Sequence, residues 1–212
     1  MIYDILILGG GPAGYLAAER AGKAGLNTAL VEMRSLGGVC LNEGCIPTKT
    51  LLYSAKLYDG VAHGEKYGVT AENLSIDHAA VVRRKDKVVK SLVAGVKAQM
   101  RASKVTVFSE RGVIRGRTEE GFVVEAGKDT IIGKKLLIAT GSSPAIPPIP
   151  GVREGLESGF VLTNREILDL TEKPETLCII GGGVIGLEFA SYFTSIGAKV
   201  TVVEMLDHIA GD

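Results

Sequence analysis

One pattern occurs twice in this chain, over residues 5–33 and again over residues 177–205. Each copy begins with an apolar run, turns through Gly-x-Gly-x-x-Gly, continues as a helical stretch and ends in a second apolar run followed by glutamate. This order of strand, turn, helix and strand is typical of a parallel βαβ unit. The repeat therefore predicts an α/β fold with two Rossmann-like units. Strands are expected over 5–8, 28–31, 177–180 and 200–203, and helices over 12–24 and 184–196.

The three glycines of each copy have separate expected roles in binding a dinucleotide. The first permits the tight turn, the second lets the backbone approach a pyrophosphate, and the third lets the helix pack closely on the strand. The helix N-terminus offers N–H groups to the phosphates, and the final glutamate accepts hydrogen bonds from a ribose while repelling a 2′-phosphate. The alternative is that the glycines only serve tight turns in an ordinary parallel sheet. The expected binding residues are Gly9, Gly11, Pro12, Ala13, Gly14 and Glu32 in the first copy and Gly181, Gly183, Val184, Ile185, Gly186 and Glu204 in the second.

The composition of the chain limits its partners. It has 24 basic and 24 acidic residues, so its charge predicts neither a nucleic-acid footprint nor a polybasic membrane patch. No apolar run approaches the roughly 18 residues of a membrane span, and the first residues lack the regions of a signal peptide. We therefore expect a cytoplasmic protein whose partners are small molecules or neutral protein surfaces.

A pair of cysteines indicates redox chemistry. Cys40 and Cys45 have four residues between them and precede a helical stretch, 48–59. Positions i and i+5 of a regular helix lie too far apart for a relaxed disulfide, so the turn must be distorted, which Gly44 permits. Lys49 follows Cys45 by one helical turn. A nearby cation and a helix N-terminus both favour the thiolate that thiol–disulfide exchange requires.

Two other interpretations of the cysteines stay open. A zinc site would need two further ligands, and only Cys178 and three scattered histidines remain, so no metal is expected. The second alternative is a pair of inert buried thiols, because a cysteine outside a disulfide is often part of a core. Cys178 lies in an apolar run and is predicted to be such a core residue.

The region between the two copies is predicted to contain one long helix and several short strands. Apolar residues recur at helical spacing over 75–103, with Asp77 near the expected cap. Strands are predicted over 104–108, 121–125, 130–132 and 135–139, and four prolines within 144–150 indicate a connector between domains. The basic run of the long helix is expected to be a solvated face; its members are Arg83, Arg84, Lys85, Lys87 and Lys90.

Four motifs in order give the chain a family resemblance. They are the first glycine turn with Glu32, the segment from Cys40 to Lys49, the stretch Ala139-Thr140-Gly141, and the second glycine turn with Glu204. Together they resemble the amino-terminal portion of class I pyridine nucleotide–disulfide oxidoreductases. The resemblance implies that the first copy binds FAD and the second NAD. The implied architecture is a three-layer Rossmann-like FAD-binding domain over 1–148, followed by a truncated Rossmann NAD-binding unit over 149–212.

The resemblance also implies roles for particular residues. Cys45 would be the thiol nearest the flavin, and Cys40 the interchange thiol that meets the substrate. Lys49 would lie near the flavin and pair with Glu188. The remaining expected FAD contacts are Thr140 and Gly141, with Gly112 near the adenine.

The implied activity is oxidation of dihydrolipoamide by NAD. This implication is based on the amino-acid sequence of residues 41–49 and on the acidic residue Glu204. The implied partners are lipoyl domains of 2-oxoacid dehydrogenase or glycine cleavage complexes, with a homodimer as the complete enzyme. Family members continue for roughly as many residues again and carry a catalytic histidine there, so this chain is expected to be a truncated piece that cannot turn over lipoamide alone. The alternatives are a related disulfide or mercuric reductase and a catalytically silent nucleotide-binding module.

Overall fold

The computed structural model describes residues 2–211, so the outer ends of the two predicted domains, Met1 and Asp212, lie outside the described residues. The chain forms two compact units. The first unit comprises the residues up to Asn42 together with Val89–Ser143. The second comprises Glu43–Val88 together with the residues from Pro144 onwards. The division at 148 stays a prediction for the domains, and the structure adds that Glu43–Val88 packs with the second glycine repeat.

Strands and helices alternate in both copies of the repeat, as the pattern predicts. Two short 3₁₀ helices, Glu65–Tyr67 and Glu166–Asp169, supplement the regular elements. In chain order the regular elements are β1 (Ile2–Leu8), α1 (Pro12–Lys23), β2 (Thr28–Val31), α2 (Gly38–Glu43), α3 (Cys45–Ala62), α4 (His78–Ala102), β3 (Thr106–Phe108), β4 (Gly112–Thr118), β5 (Gly121–Ala126), β6 (Asp129–Ile138), α5 (Val152–Ser158), β7 (Thr176–Ile180), α6 (Val184–Ser195) and β8 (Lys199–Val203).

The first unit is built on a six-stranded sheet in the order β3-β2-β1-β6-β5-β4. The first four of these strands run parallel, and β6, β5 and β4 pair antiparallel. Strand β1 lies between two parallel neighbours, and its residues Leu6 and Ile7 are completely buried. The structure confirms the Rossmann-like α/β fold class.

The predicted strands 130–132 and 135–139 form one strand, β6. The interruption that suggested two strands, residues 133–134, lies within β6, where Gly133 pairs with Tyr3 of β1 on one side and with Phe122 of β5 on the other. Hydrogen bonding at both edges therefore outweighs the break in the apolar pattern. Strand β4 was not predicted, because it is largely exposed, contains two arginines and is interrupted by a bulge between Ile114 and Gly116.

The second unit centres on the packing of α3 against α6. Tyr192 and Phe193 of α6 and Leu51 of α3 are almost completely buried, together with Ile167 and Leu168 of the 3₁₀ helix. The two-stranded parallel sheet β7-β8 belongs to this unit. Its residues alternate between half-buried and exposed along both strands.

Two expectations about individual residues are wrong. Cys178 was expected to be a core residue but is exposed, because it lies on the open face of the sheet β7-β8. Lys85 was expected on a solvated face but is 3% exposed. Its Nζ lies 2.6 Å from Asp169 Oδ1 and 2.8 Å from Asp86 Oδ1, so two carboxylates compensate the burial of its charge.

Helix α4 begins as its sequence predicts. Asp77 Oδ1 accepts a hydrogen bond from the amide of Ala80 at 2.9 Å, which is the N-cap interaction expected for an aspartate at this position. Within residues 2–211, no helix combines the length and apolar character needed to cross a bilayer.

Candidate nucleotide loops and redox helix

The first glycine loop lies at the carboxyl edge of the parallel strands. Leu8 pairs with Val31 of β2 and with Ile138 of β6, so the residues that follow these three strands meet at one edge. The amide of Gly9 donates to Val31 O at 2.8 Å, and the amide of Ala139 donates to Leu8 O at 2.8 Å. The expected residues Glu32, Thr140 and Gly141 are therefore brought beside the glycine loop. In open α/β sheets, ligands bind at this edge.

The glycines of the first loop differ in what the fold requires of them. Gly9 has a φ of 107°, and a Cβ there would lie 2.1 Å from the carbonyl oxygen of Ala139. A Cβ on Gly14 would lie 1.8 Å from Gly9 O, so this glycine is needed for close packing of α1 on β1. Gly11 has an ordinary φ of −72°, and the nearest atom to its Cβ would be Gly38 Cα at 3.8 Å. Protein packing therefore explains Gly9 and Gly14 and leaves Gly11 unexplained.

The second loop repeats this geometry. Gly181 has a φ of 104°, and a Cβ on Gly186 would lie 2.4 Å from Gly181 O. Gly183 has a φ of −72°, and no described atom lies within 4 Å of the position of its Cβ. The amide of Gly181 donates to Val203 O at 2.8 Å, as Gly9 does to Val31. In both loops the fold thus leaves room for a Cβ on the middle glycine: the position is open at Gly183, and at Gly11 it would be in ordinary contact with Gly38 Cα.

The unfilled position at each middle glycine bears on the expected binding of a dinucleotide phosphate. A side chain at Gly11 or Gly183 would fill the space that a pyrophosphate needs for close approach to the backbone. Each of these glycines is the N-cap of its helix, and neither helix has a side-chain cap in the described structure. An anion is a suitable partner for the N–H groups at such a helix end. Pro12 at the first helical position, which needs no N–H partner, is also as expected.

The two glutamates hold the glycine loops from the side. Glu32 Oε2 accepts a hydrogen bond from the amide of Gly10 at 2.7 Å, and Glu204 Oε2 accepts one from the amide of Gly182 at 2.6 Å. Glu204 Oε1 also accepts hydrogen bonds from the amides of Met205 and Leu206. Hydrogen bonds from these backbone amides hold the pKa of Glu204 below its usual value, and the amide of Leu206 makes the largest contribution. The carboxylate at the second loop therefore stays negative into the acidic range.

A segment that the sequence analysis did not assign covers one side of the first loop. The amide of Gly37 donates to Gly10 O at 2.8 Å. A Cβ on Gly38 would lie 2.5 Å from the Cα of Gly11, so the two backbones are in close contact. The adjacent positive φ values, 98° at Gly37 and 57° at Gly38, explain why two glycines occur in succession there. The pair Gly-Gly was the only sequence signal for this contact.

The other expected first-unit residues have mixed explanations. Thr140 and Gly141 are exposed beside the loop, and Gly141 has a φ of 71°. Gly112 starts β4, where a Cβ would lie 2.3 Å from Leu8 Cδ1. Packing on β1 is therefore sufficient reason for glycine at 112, and its expected place near an adenine stays a prediction.

The two cysteines lie on consecutive helices separated by one residue. Cys40 is half-buried within α2, and Cys45 is exposed as the first residue of α3. Gly44 between them has φ −146° and ψ −106°, which interrupts the helix as expected. Helix α3 thus starts three residues earlier than predicted, because Pro47 and Thr48 are accommodated in its first turn.

Polar contacts join α3, the helix that begins at Cys45, to α6, the helix that follows the second glycine loop. Lys49 Nζ lies 2.6 Å from Glu188 Oε1, which is the pairing that the resemblance implied. Toward the other end, Ser195 Oγ donates to Asp59 Oδ2 at 2.6 Å. The apolar core around Leu51 and Phe193 fills the space between these ties. Helices α3 and α6 are therefore held together along their lengths. Among residues 2–211, no group of three or more His, Cys, Asp and Glu side chains is arranged to hold a metal ion.

Comparison with known proteins identifies relatives over almost the whole chain. The family profile described as pyridine nucleotide-disulphide oxidoreductase matches residues 3–212. A dihydrolipoyl dehydrogenase of Acholeplasma laidlawii is 46% identical over 98% of this chain and 61% of its own length. One from Bacillus subtilis strain 168 is 42% identical over 98% of this chain and 45% of its own length. The chain thus spans about half the length of most of the curated relatives it matches.

A solved structure supports the same relationship. The HOCl-induced flavoprotein disulfide reductase RclA from Escherichia coli is 32% identical, with a TM-score of 0.81 over 98% of this chain and 43% of its own. The resemblance inferred from the four motifs is confirmed by these relatives. This chain belongs to the pyridine nucleotide–disulphide oxidoreductase family.

Proposed function

We propose that this chain supplies the FAD-binding domain, the redox-active cysteines and the first part of the NAD-binding domain of a dihydrolipoamide dehydrogenase. The observation that carries the proposal is the tie between α3, which begins at Cys45, and α6, which follows the second glycine loop. A helix that begins at one of the two cysteines and is fixed, within one unit, to the helix of a glycine loop suits an enzyme that moves electrons between thiols and a nucleotide.

The first glycine loop is proposed to bind FAD and the second NAD. Support comes from the room that the fold leaves at both middle glycines and from the names of the relatives, which include a flavoprotein disulfide reductase. Bound FAD would accept an electron pair from the dithiol and pass it to the nicotinamide. The ionised Glu204 would repel a 2′-phosphate, which favours NAD over NADP.

The cysteines are proposed to carry out thiol–disulfide exchange. Dihydrolipoamide would reduce a disulfide between Cys40 and Cys45, with Cys40 as the interchange thiol, to give lipoamide and the protein dithiol. The balanced reaction is dihydrolipoamide and NAD⁺ giving lipoamide, NADH and a proton. Lys49 and Glu188, as an ion pair, would orient α3 during this exchange. The proposed partners are lipoyl domains of 2-oxoacid dehydrogenase or glycine cleavage complexes, the proposed assembly a homodimer, and the proposed location the cytoplasm.

The cofactor proposal is tested with the 212-residue chain. After incubation with FAD and removal of free flavin, we expect bound flavin absorbance. In the parent chain, two-electron reduction of the disulfide should add a long-wavelength band between the Cys45 thiolate and the oxidised flavin. In Cys40→Ser, which has no disulfide to reduce, this band should be present before reduction, and in Cys45→Ser it should be absent. A chain that stays colourless at saturating FAD would instead support a silent nucleotide-binding module.

Substrate choice is tested with the whole gene product. We expect NADH to be oxidised with lipoamide and not with glutathione disulfide, coenzyme A disulfide or mercuric ion. NADPH should be a much poorer donor. A preference for any of the other three acceptors would contradict the dihydrolipoamide assignment and leave the family assignment intact.

A further inference from the structure

Two consecutive residues hold the turn that precedes Cys45. Arg165 Nε lies 2.8 Å from Glu43 Oε2 in an ion pair, and Asn164 Nδ2 donates to the carbonyl oxygen of Glu43 at 3.3 Å. Glu43 is the last residue of α2 and lies two residues before Cys45. Both the side chain and the backbone of Glu43 are thus held by a segment 121 residues away in sequence.

Because this ion pair is partly buried, we expect it to hold the side chain of Glu43 in place. The side chains of Arg165 and Glu43 are 28% and 19% exposed. Solvent and salt screen such a pair less than they screen an exposed pair like that of Lys49 and Glu188, in which the lysine is 62% exposed.

The segment that carries Asn164 and Arg165 is itself fixed. Thr163 donates two hydrogen bonds to Glu166 Oε2, from its amide at 2.8 Å and from its hydroxyl at 2.5 Å. The amide of Arg165 donates to the hydroxyl oxygen of Thr163 at 3.2 Å. The next residues, Ile167 and Leu168, are buried in the core between α3 and α6. The contacts to Glu43 are therefore anchored in the centre of the second unit.

The turn needs such an anchor because its central residue is glycine. Gly44 has a φ of −146° and a ψ of −106°. Because glycine has access to many other backbone conformations, it does not by itself fix this one. A disulfide, in contrast, requires a narrow range of Cα separations and torsion angles. Restricting the open dithiol lowers the conformational entropy that ring closure must remove.

We propose that Asn164 and Arg165 are positioning residues for the redox turn, which we define as Glu43–Cys45. By holding Glu43 they preset Gly44 in the conformation from which Cys45 closes its disulfide with Cys40. This inference rests on the proposed function, because it assumes that the two cysteines exchange electrons. Loss of the contacts makes the disulfide less stable without removing either thiol.

The test measures the dithiol–disulfide equilibrium directly. The 212-residue chain, with Cys178→Ser to leave two thiols, is equilibrated in buffers of glutathione and glutathione disulfide. In this reaction the protein dithiol and one glutathione disulfide give the protein disulfide and two glutathiones. Free thiols are then trapped by alkylation and counted by mass spectrometry. Arg165→Met, Asn164→Ala and Glu43→Gln are compared with Arg153→Met, which replaces an exposed arginine of the same unit.

For Arg165→Met we expect a roughly tenfold smaller equilibrium constant for disulfide formation, which corresponds to about 30 mV in potential. Glu43→Gln and Asn164→Ala should change it in the same direction by smaller factors, and Arg153→Met should leave it unchanged. Combining Glu43→Arg with Arg165→Glu should restore part of the loss, because the ion pair is rebuilt with its charges exchanged. Circular dichroism and thermal unfolding establish that each variant is folded.

Two outcomes overturn the inference. In the first, Arg165→Met folds and its equilibrium constant for disulfide formation is within twofold of that of the parent chain. In the second, the disulfide is more stable in Arg165→Met than in the parent chain. If Arg165→Met does not fold, the same criteria apply to Glu43→Gln, which keeps the size of the side chain. Failure of the parent chain to form any disulfide between the two cysteines contradicts the proposed function itself, so the two failures are distinguishable.

Discussion

The two glycine loops have nearly the same backbone and different surroundings. φ is 107° at Gly9 and 104° at Gly181, and each loop is held by its glutamate at about the same distance. A Cβ on Gly9 would collide with Ala139 O, whereas one on Gly181 would meet no described atom within 4 Å. The motif thus sets the shape of the loop, and the neighbouring strand decides how much change it tolerates.

The strands that lead into the loops differ in the same way. Strand β1 lies between β2 and β6, whereas β7 pairs with β8 alone among the described strands. At the end of β1, Leu8 is 8% exposed, and at the equivalent place in β7 Ile180 is 56% exposed. The two glycine loops therefore share one sequence motif, but the strand that leads into the first is packed more closely than the strand that leads into the second.

The largest expected difference is between Gly9→Ala and Gly181→Ala. Both place alanine at a positive φ, which costs about 1–2 kcal/mol. Gly9→Ala also drives a methyl group into Ala139 O, so we expect a total of about 3 kcal/mol or more. Hydrogen exchange of β1 and β7 in denaturant series measures both costs. Gly14→Ala and Gly186→Ala serve as controls that should both destabilise. Equal losses of unfolding free energy in Gly9→Ala and Gly181→Ala would show that the neighbouring strand does not decide how much change each loop tolerates.

Replacing the middle glycines should affect binding and leave folding almost unchanged. Gly11→Ala and Gly183→Ala have ordinary φ values and room for a methyl group, so we expect the free energy of unfolding to fall by no more than about 1 kcal/mol, the cost of alanine in place of glycine at an N-cap. The methyl group would occupy the place of a phosphate, so we expect affinity to fall about tenfold or more, for FAD in the first variant and NADH in the second. Fluorescence titration measures both affinities. Unchanged affinity for both ligands would return these glycines to a purely structural role.

Acid should loosen the second unit before the first, because the buried His78 lies in the second. His78 is 6% exposed, its Nε2 contacts Leu170 O at 2.8 Å, and its Nδ1 contacts the hydroxyl of Tyr192 at 2.7 Å. Because a carbonyl only accepts, the neutral ring donates from Nε2, and Tyr192 donates to Nδ1. Burial lowers the pKa of His78 below 6.5, with weaker opposing effects from its hydrogen bond to Leu170 and from Asp77, and a further lowering from Lys173.

The unfolded chain therefore binds a proton at a higher pH than the folded chain. Stability contributed by neutral His78 is complete above pH 6.5 and is lost as the pH falls through its lowered folded value. Urea unfolding between pH 7 and pH 5, followed by exchange of amides in α6, measures this slope. His78→Gln should flatten this slope, and His63→Gln, at an exposed position of the same unit, is the matched control. An equal slope in His78→Gln would assign the acid sensitivity elsewhere.

The smallest expected effect concerns Lys49 and Glu188. Because Lys49 is 62% exposed, Lys49→Met should change the free energy of unfolding by under about 1 kcal/mol. The corresponding position in α1 is Leu16, so the first copy has no counterpart to Glu188. Thermal unfolding of Lys49→Met, Glu188→Gln and the double variant measures the coupling between the two side chains. A coupling well above 1 kcal/mol would mean that this pair, and not the apolar core around it, holds α3 to α6.

Local patterns predicted the elements of both repeats, because glycine spacing and apolar runs act over few residues. The bounds of β2 and the starts of α1 and α6 agree with the prediction. Lys85 and Cys178 were misjudged because burial depends on what packs against a residue from elsewhere in the chain. The carboxylate of Asp169 compensates Lys85, and the open face of the sheet β7-β8 exposes Cys178.

The sequence by itself determined the two glycine loops, their glutamates, the helix break between the cysteines and the family. These features depend on backbone torsion, on the absence of a side chain, and on spacing along one short segment. Only the tertiary structure decided that Glu43–Val88 packs with the second repeat and that Arg165 and Asn164 hold Glu43. Such contacts join residues far apart in the chain, and their energies depend on burial that no local pattern encodes.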